Sequence, residues 1–317
     1  MAGAAQQLNE ALAQAERALL ANPTSAAATL VAKCLVAVDR KDEAPGIFAR
    51  HAKAADYDLL MSFAQIFTQL GQREQAIAAY DTAAAQRPIT VIPNTAAAPA
   101  WAVNSPFTAA QPSPRYGQLL SQYEGMHHAG KADAQSQGAK TFEGFVGFSI
   151  VAPYVRRFAQ KLGAKSLLDY GGGRGAQYQL GEITIGAETF ANPRAYLGVE
   201  SVVCFDPGFA RDLPAGMFDL VICVDALEHC DRQDLPWIVR QLFEKARMGV
   251  FANIASYPAA KTLPNGENAH CTVEDAPWWM ELFRAVADAF PAIDYQVIVS
   301  KDLRQNSRTI FGRNGRT

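Results

Sequence analysis

A chain of 317 residues, 49% of them apolar, is long enough for about two domains and apolar enough to bury a core in each. Its 29 Lys and Arg against 31 Asp and Glu leave a net charge of −2, so it offers no polyelectrolyte handle on nucleic acid and no basic face for an anionic membrane. No apolar run approaches the roughly 18 residues of a membrane span. The opening MAGAAQQLNE shows no basic segment ahead of an apolar one, and the five cysteines contain no C-x-x-C pair, so a cytoplasmic protein without a disulfide framework is expected.

Residues 1–90 carry an internal repeat. Leu59, Leu60, Phe63, Ile66, Phe67 and Leu70 lie on one stripe of a helix that Gly71-Gln72 ends. A second helix follows with Ala76, Ile77, Tyr80, Ala83 and Ala84 on one face, up to Pro88. Small residues at Ala64, Ala76 and Ala83 permit close helix packing. The pair resembles a tetratricopeptide repeat, whose period is about 34 residues. EALAQAERALLANP, ending at Pro23, echoes the second helix, and Asp42-Glu43-Ala44 stands at the same phase with Pro45 breaking the match. Residues 91–115, with neighbouring Pro88, hold six of the 17 prolines and read as an extended linker. Trp101 and Phe107 within it predict that it lies along a domain surface.

Residues 116–317 alternate strand and helix signals. KSLLDY, VVCFD, DLVICV and GVFANI are short buried strands, with helices over Asp234 to Met248 and Ala276 to Phe290 and two closing strands, DYQVIVSKD and SRTIFGR. The expected architecture is α/β: a doubly wound, mostly parallel, Rossmann-like sheet preceded by a small all-α helical domain.

The sharpest chemical signal is Asp169-Tyr170-Gly171-Gly172-Gly173-Arg174-Gly175, where a strand delivers an acidic residue to a glycine-rich turn. Gly171, Gly173 and Ala176 satisfy a dinucleotide fingerprint. Asp169, Gly171, Gly173 and Gly175 satisfy D-x-G-x-G-x-G, which resembles motif I of the class I S-adenosylmethionine-dependent methyltransferases. Phe218 to His229, FDLVICVDALEH, is similar to a second segment of the small-molecule branch of that family. The resemblance implies S-adenosyl-L-methionine as cofactor. Asp169 would lie near its amino-acid end, Gly171, Gly173 and Gly175 beneath it, and Asp206 at its ribose. Asp212 and Leu213 would flank the adenine, and Asp225 and Ala226 the sulfonium. Between Gly175 and Phe218 the usual layout fits a helix, two strands and another helix, and Leu180 to Gly198 does not read as the first of these.

For catalysis, the bases singled out are Glu228 and His229 at a strand end and His270 in the polar loop after the fifth strand. Tyr257, Asn265, Glu267 and Asn268 in or near that loop, and Tyr123 and His127 ahead of the core, are the expected acceptor contacts, with Trp278 and Trp279 close by. The competing readings are a surface turn for the loop and a solvated helix for Tyr123 and His127. A zinc site from His229, Cys230, His270 and Cys271, or a divalent ion between Asp225 and Asn253, has the wrong spacing or too few ligands, and no metal is assigned. The [N/D]-P-P-[Y/F/W] signature of nucleic-acid amino-methylases is absent, and TFEG with PNGENAH is similar to methyltransferases of bacterial cell-surface polysaccharide pathways. The expected reaction is therefore methyl transfer to an oxygen, or a nitrogen, of a small molecule or saccharide precursor. The helical repeats would serve self-association as a homodimer or docking to a protein partner. The alternative is an interaction scaffold whose methyl-donor domain is non-catalytic.

Overall fold

The computed structural model describes residues 2–52, 55–86, 90–91, 100–103, 105–133, 145–185, 188–209, 212–301 and 308–313. Two compact units emerge: one is Met1–Arg87 with Ser149–Tyr154 and Glu182–Phe190, the other Pro88–Phe148, Val155–Gly181 and Ala191–Thr317.

The first unit is built from five helices, α1 (Ala2–Ala21), α2 (Ser25–Ala37), α3 (Ala44–Ala52), α4 (Tyr57–Gln69) and α5 (Arg73–Gln86). A 32-residue period shows in its backbone. Thr24 caps α2 by accepting from Ala27 N, and Asp56, 32 positions on, caps α4 by accepting from Leu59 N. At the other ends, Arg40 N donates to Leu35 O and Gln72 N to Phe67 O, both at 2.8 Å. Asp39 (φ 56°) and Gly71 (φ 76°) take the same left-handed conformation before them. Pro45 does not break this repeat. It falls in the first turn of α3, where its missing N–H costs little. The stretch before it, Lys41–Glu43, is wound as a 3-10 turn, and the Gln72 side chain donates to Lys41 O. Phe48 stacks on Phe63 at 4.7 Å and meets Phe67 edge-on within a core that Leu19, Leu35, Leu60 and Tyr80 complete. The caps and closing turns of α2 and α4 thus repeat at a spacing of 32 residues.

The second unit begins with β1 (Thr90–Val91), α6 (Ala100–Val103), α7 (Pro114–Asp133), α8 (Phe145–Leu162, of which Ser149–Tyr154 belongs to the first unit) and β2 (Ser166–Tyr170). The ribbon β3 (Ile183–Ile185) and β4 (Glu188–Phe190), which belongs to the first unit, interrupts it. There follow α9 (Pro193–Leu197), β5 (Ser201–Phe205), β6 (Phe218–Val224), α10 (Leu235–Lys245), β7 (Ala246–Ala255), α11 (Ala276–Ala287), β8 (Asp294–Ser300) and β9 (Arg308–Gly312). Seven strands form one sheet in the order β1-β9-β8-β7-β6-β2-β5, parallel throughout except for β8 against β9. Most of the buried runs read from the sequence are strands of this sheet, because parallel strands covered on both faces are largely apolar. VVCFD is not buried: β5, at the edge, leaves Ser201 and Val203 exposed and Val202 and Cys204 half-buried.

Three expectations change. The helix read over Asp234 to Met248 ends at Lys245, and Ala246 already pairs with Phe218 as β7. Among its described residues, Leu180 to Gly198 holds neither a long helix nor a strand of the main sheet, but the two-stranded ribbon and the five-residue α9. A single main-sheet strand, β5, stands between Gly175 and Phe218, and among the described residues it is an edge. The described residues of the stretch read as a linker pack within the second unit. Trp101 stacks on Trp278 at 4.8 Å, Ala102 is buried, and Ser113 gives both its N–H and its hydroxyl to the buried Asp234 carboxylate.

Candidate functional site

The carboxyl ends of β5, β2 and β6 lie side by side, and they bring together most of the residues predicted to hold a donor. Gly171 (φ 83°), Gly173 (φ 56°) and Gly175 (φ 67°) carry the turn after β2 through left-handed backbone that other residues adopt at a cost. A Cβ on Gly171 would stand 2.5 Å from the Ala226 Cβ, so the turn rests on the residue after β6. A Cβ on Gly173 would meet nothing within 4 Å, which leaves that backbone open to a ligand. Asp206 fastens the turn from the neighbouring strand end: its Oδ2 accepts from Gly173 N at 3.1 Å and its Oδ1 from Gly208 N at 2.8 Å.

Asp169 is placed differently from what the resemblance implies. Its side chain is turned under the turn, 2% exposed, and its Oδ2 accepts from Gln177 Nε2 and the Tyr178 hydroxyl, both at 2.9 Å. Burial pushes its carboxyl up to about 6, against the opposing pull of those two donors. It is a strut of the turn. Asp212 is exposed on the loop leading to β6, and Leu213 packs half-buried against the sheet core.

Asp225 follows β6 with a positive φ of 49°, uncommon for a residue with a side chain and typical of functional turns. Its N–H donates to Asn253 O, and its Oδ1 accepts from Asn253 Nδ2 at 2.5 Å. Surrounding protein raises its carboxyl, an effect that its exposure to water damps and that Asn253 and Arg308 oppose.

A second cluster forms from residues far apart in sequence. The 3-10 turn Leu227–His229 carries Glu228 and His229, and the loop after β7 carries His270. The His229 and His270 rings meet edge-to-face with centroids 4.9 Å apart, and the Tyr123 hydroxyl, from α7, stands 3.0 Å from His229 Nδ1. Both imidazoles are held by backbone carbonyls: His229 Nδ1 lies 2.8 Å from Ala269 O, and His270 Nδ1 2.6 Å from Tyr257 O. A carbonyl only accepts, so at His270 the proton is assigned to Nδ1 and the lone pair to Nε2; at His229 the Ala269 carbonyl, which also receives the Tyr123 hydroxyl, favours the same tautomer. Burial lowers the His270 pKa, with the Tyr257 carbonyl opposing, which keeps the ring neutral at pH 7. Glu228 is fully buried; its Oε1 accepts from Ala255 N at 3.0 Å, while its Oε2 has no hydrogen-bond partner among the described residues. Burial first, and then the neighbouring Asp225, push its carboxyl well above the ordinary range.

Other predicted acceptor contacts serve the loop itself. Asn268 holds Ala259 through both of its amide atoms and receives His270 N, Asn265 receives Glu267 N, and Glu267 pairs with Arg115 of α7. Tyr257 contributes its carbonyl and lies with its ring 5.7 Å from that of His270. Trp279 is buried in the sheet core and Trp278 is taken up by Trp101, so the indoles do not line an acceptor site. His127 lies on α7, but its side chain is outside the described residues. The thiols of Cys230 and Cys271 point to the carbonyls of Ala226 and His229, and burial pushes Cys271 up to about 12. They take no part in a zinc set with the histidines. The grouping of Tyr123, His229 and His270, 106 and 41 positions apart, had no signal in the sequence beyond the Glu-His pair at a strand end.

No protein-family model, curated protein or solved structure matches this chain.

Proposed function

We propose that the chain transfers a methyl group from S-adenosyl-L-methionine to an oxygen, or a nitrogen, of a small molecule or saccharide precursor. The observation that carries this reading is the glycine turn after β2, tied by Gly173 N to the Asp206 carboxylate and seated on Ala226, with open space above Gly173. That arrangement fits a donor with a ribose and an amino-acid end: Asp206 is placed to accept from ribose hydroxyls, and the turn offers backbone at close approach. The donor supplies a methyl group already bonded to a cationic sulfur. The remaining work is alignment of the acceptor and removal of its proton. His229 and His270 present Nε2 lone pairs for that proton, and Tyr123 beside His229 completes a polar wall.

The test is calorimetric titration of S-adenosylmethionine and its demethylated product into the full chain, Gly171→Val and Asp206→Ala. The expected outcome is one site in the parent, abolished by Gly171→Val and weakened roughly 30-fold by Asp206→Ala, the loss of about one hydrogen bond to a charged group. A folded parent that binds neither ligand refutes the proposal. The scaffold reading has its own support, because Leu8, Leu20, Leu30 and Val36 are exposed on α1 and α2 of the helical unit.

A further inference from the structure

We infer that Glu228, His229 and His270 form a binding site for one divalent first-row transition-metal ion, zinc foremost. One ligating atom from each residue lies within 4.8 Å of the others. Donors bound at zinc distances stand roughly 3.4 Å apart, so closing the set takes movements on the order of 1 Å, within the reach of side-chain torsions. The two imidazoles are prepared for this. Each gives its Nδ1 proton to a backbone carbonyl, Ala269 for His229 and Tyr257 for His270, which favours the tautomer with the lone pair on Nε2. Metal-ligating histidines are oriented by the same device.

The independent observation is Glu228. A fully buried carboxyl group with one oxygen on Ala255 N and the other without any hydrogen-bond partner among the described residues is costly to keep, and a cation in place of its proton is a partner that removes the cost. The backbone around the set is held from several sides. Thr272 N donates to Glu228 O, the Cys271 thiol to His229 O, and His270 N to the Asn268 side chain. Two neutral nitrogens and one carboxylate suit zinc, iron(II) or cobalt(II) better than calcium or magnesium, which prefer all-oxygen ligation. Three protein ligands leave a coordination position for water or for an oxygen of a bound molecule. The thiols of Cys230 and Cys271 stay outside the set, on their carbonyl partners. An ion bound here would occupy both Nε2 lone pairs, so in the loaded chain proton removal would fall to water in the open position rather than to the imidazoles; the ligand set itself stands together whatever the donor turn binds.

The experiment is equilibrium titration of chelator-treated full chain with cobalt(II), read by its visible d–d absorption, followed by displacement with zinc and elemental analysis. One ion per chain is expected, with a spectrum lacking thiolate charge-transfer bands. His270→Ala and Glu228→Gln should weaken binding by about 100-fold or more, while Cys230→Ser/Cys271→Ser and the remote His51→Ala should leave it unchanged. His270→Asn serves as a milder variant if the alanine chain fails to fold, and circular dichroism checks each chain. The inference is overturned if the folded parent takes up no ion. It is equally overturned if binding survives in the His270 and Glu228 variants, or if it is lost with the cysteines. Titrating the same samples with S-adenosylmethionine separates the two proposals: donor binding without metal overturns this one alone, and metal binding without donor overturns the methyl-transfer reading alone.

Discussion

Asp234 is the point at which the segment of residues 105–113 is fastened to the sheet within the second unit, and replacing it by alanine tests that attachment. The side chain is fully buried at the start of α10. Its Oδ1 accepts from Ser113 N at 2.9 Å and from Trp237 Nε1 at 2.8 Å, and its Oδ2 accepts from the Ser113 hydroxyl at 2.5 Å. In Asp234→Ala the backbone N–H and the indole N–H lose their acceptor inside the protein, at about 1–3 kcal/mol each, and a favourable negative charge near a helix N-terminus, about 0.3–1 kcal/mol, goes with them. Allowing for non-additivity among groups that share one acceptor, the expected destabilisation is about 3–5 kcal/mol, a large part of an ordinary domain's stability. Asp234→Asn keeps one acceptor oxygen and should cost about 1–2 kcal/mol. The assay is urea unfolding followed by tryptophan emission. Trp101, Trp237, Trp278 and Trp279, the four tryptophans of the chain, all lie in the sheet unit, so the signal reports that unit alone. The midpoint should be read rather than the amplitude, because Trp237 itself loses a partner. An alanine variant within 1 kcal/mol of the parent would mean that residues 105–113 are held by other contacts and that the Asp234 bonds contribute little net stability.

The remaining predictions are shorter. Asp169 is an acid whose folded-state pKa is raised, to about 6 from 3.8, so its protonation favours the fold: that contribution is full below pH 4 and is lost as the pH rises through 6. Asp169→Asn should therefore match the parent in stability near pH 4 and exceed it by on the order of 2 kcal/mol at pH 7.5; a constant offset across the range would contradict the assignment. In the helical unit, Asp39 and Gly71 share a left-handed backbone 32 residues apart. Asp39→Gly should stabilise the helices by several tenths of a kcal/mol and Gly71→Ala should destabilise them by about 1 kcal/mol, read by thermal melts in far-UV circular dichroism. Equal effects of the same sign would show that the two turns are not equivalent.

The sequence by itself determined the elements whose physics is local. The strands β6 and β7 announce themselves because both faces are covered and most of their residues are apolar. The helices α4 and α11 announce themselves through one apolar stripe and a capping aspartate, Asp56 or Asp275, whose side chain takes the third backbone N–H. The glycine turn was legible because only glycine tolerates its backbone and the nearness of Ala226. What lay between Gly175 and Phe218 was not, since short ribbons and five-residue helices leave no periodicity to detect. The direction in which each polar side chain faces was also hidden. Asp169 could have met a ligand or buttressed its own turn, and the Gln177 and Tyr178 that decide the matter stand on the following turn, with nothing in their type to say they fold back. Above all, the assembly of Tyr123, Glu228, His229 and His270 is a product of sheet order. β6 and β7 are parallel neighbours, so the loops leaving them emerge at one edge, and α7 is laid against that edge by Leu119, Leu263 and Ala269. Contacts of that kind depend on where whole strands come to rest, which is settled by burial summed over the sheet rather than by any residue near the site.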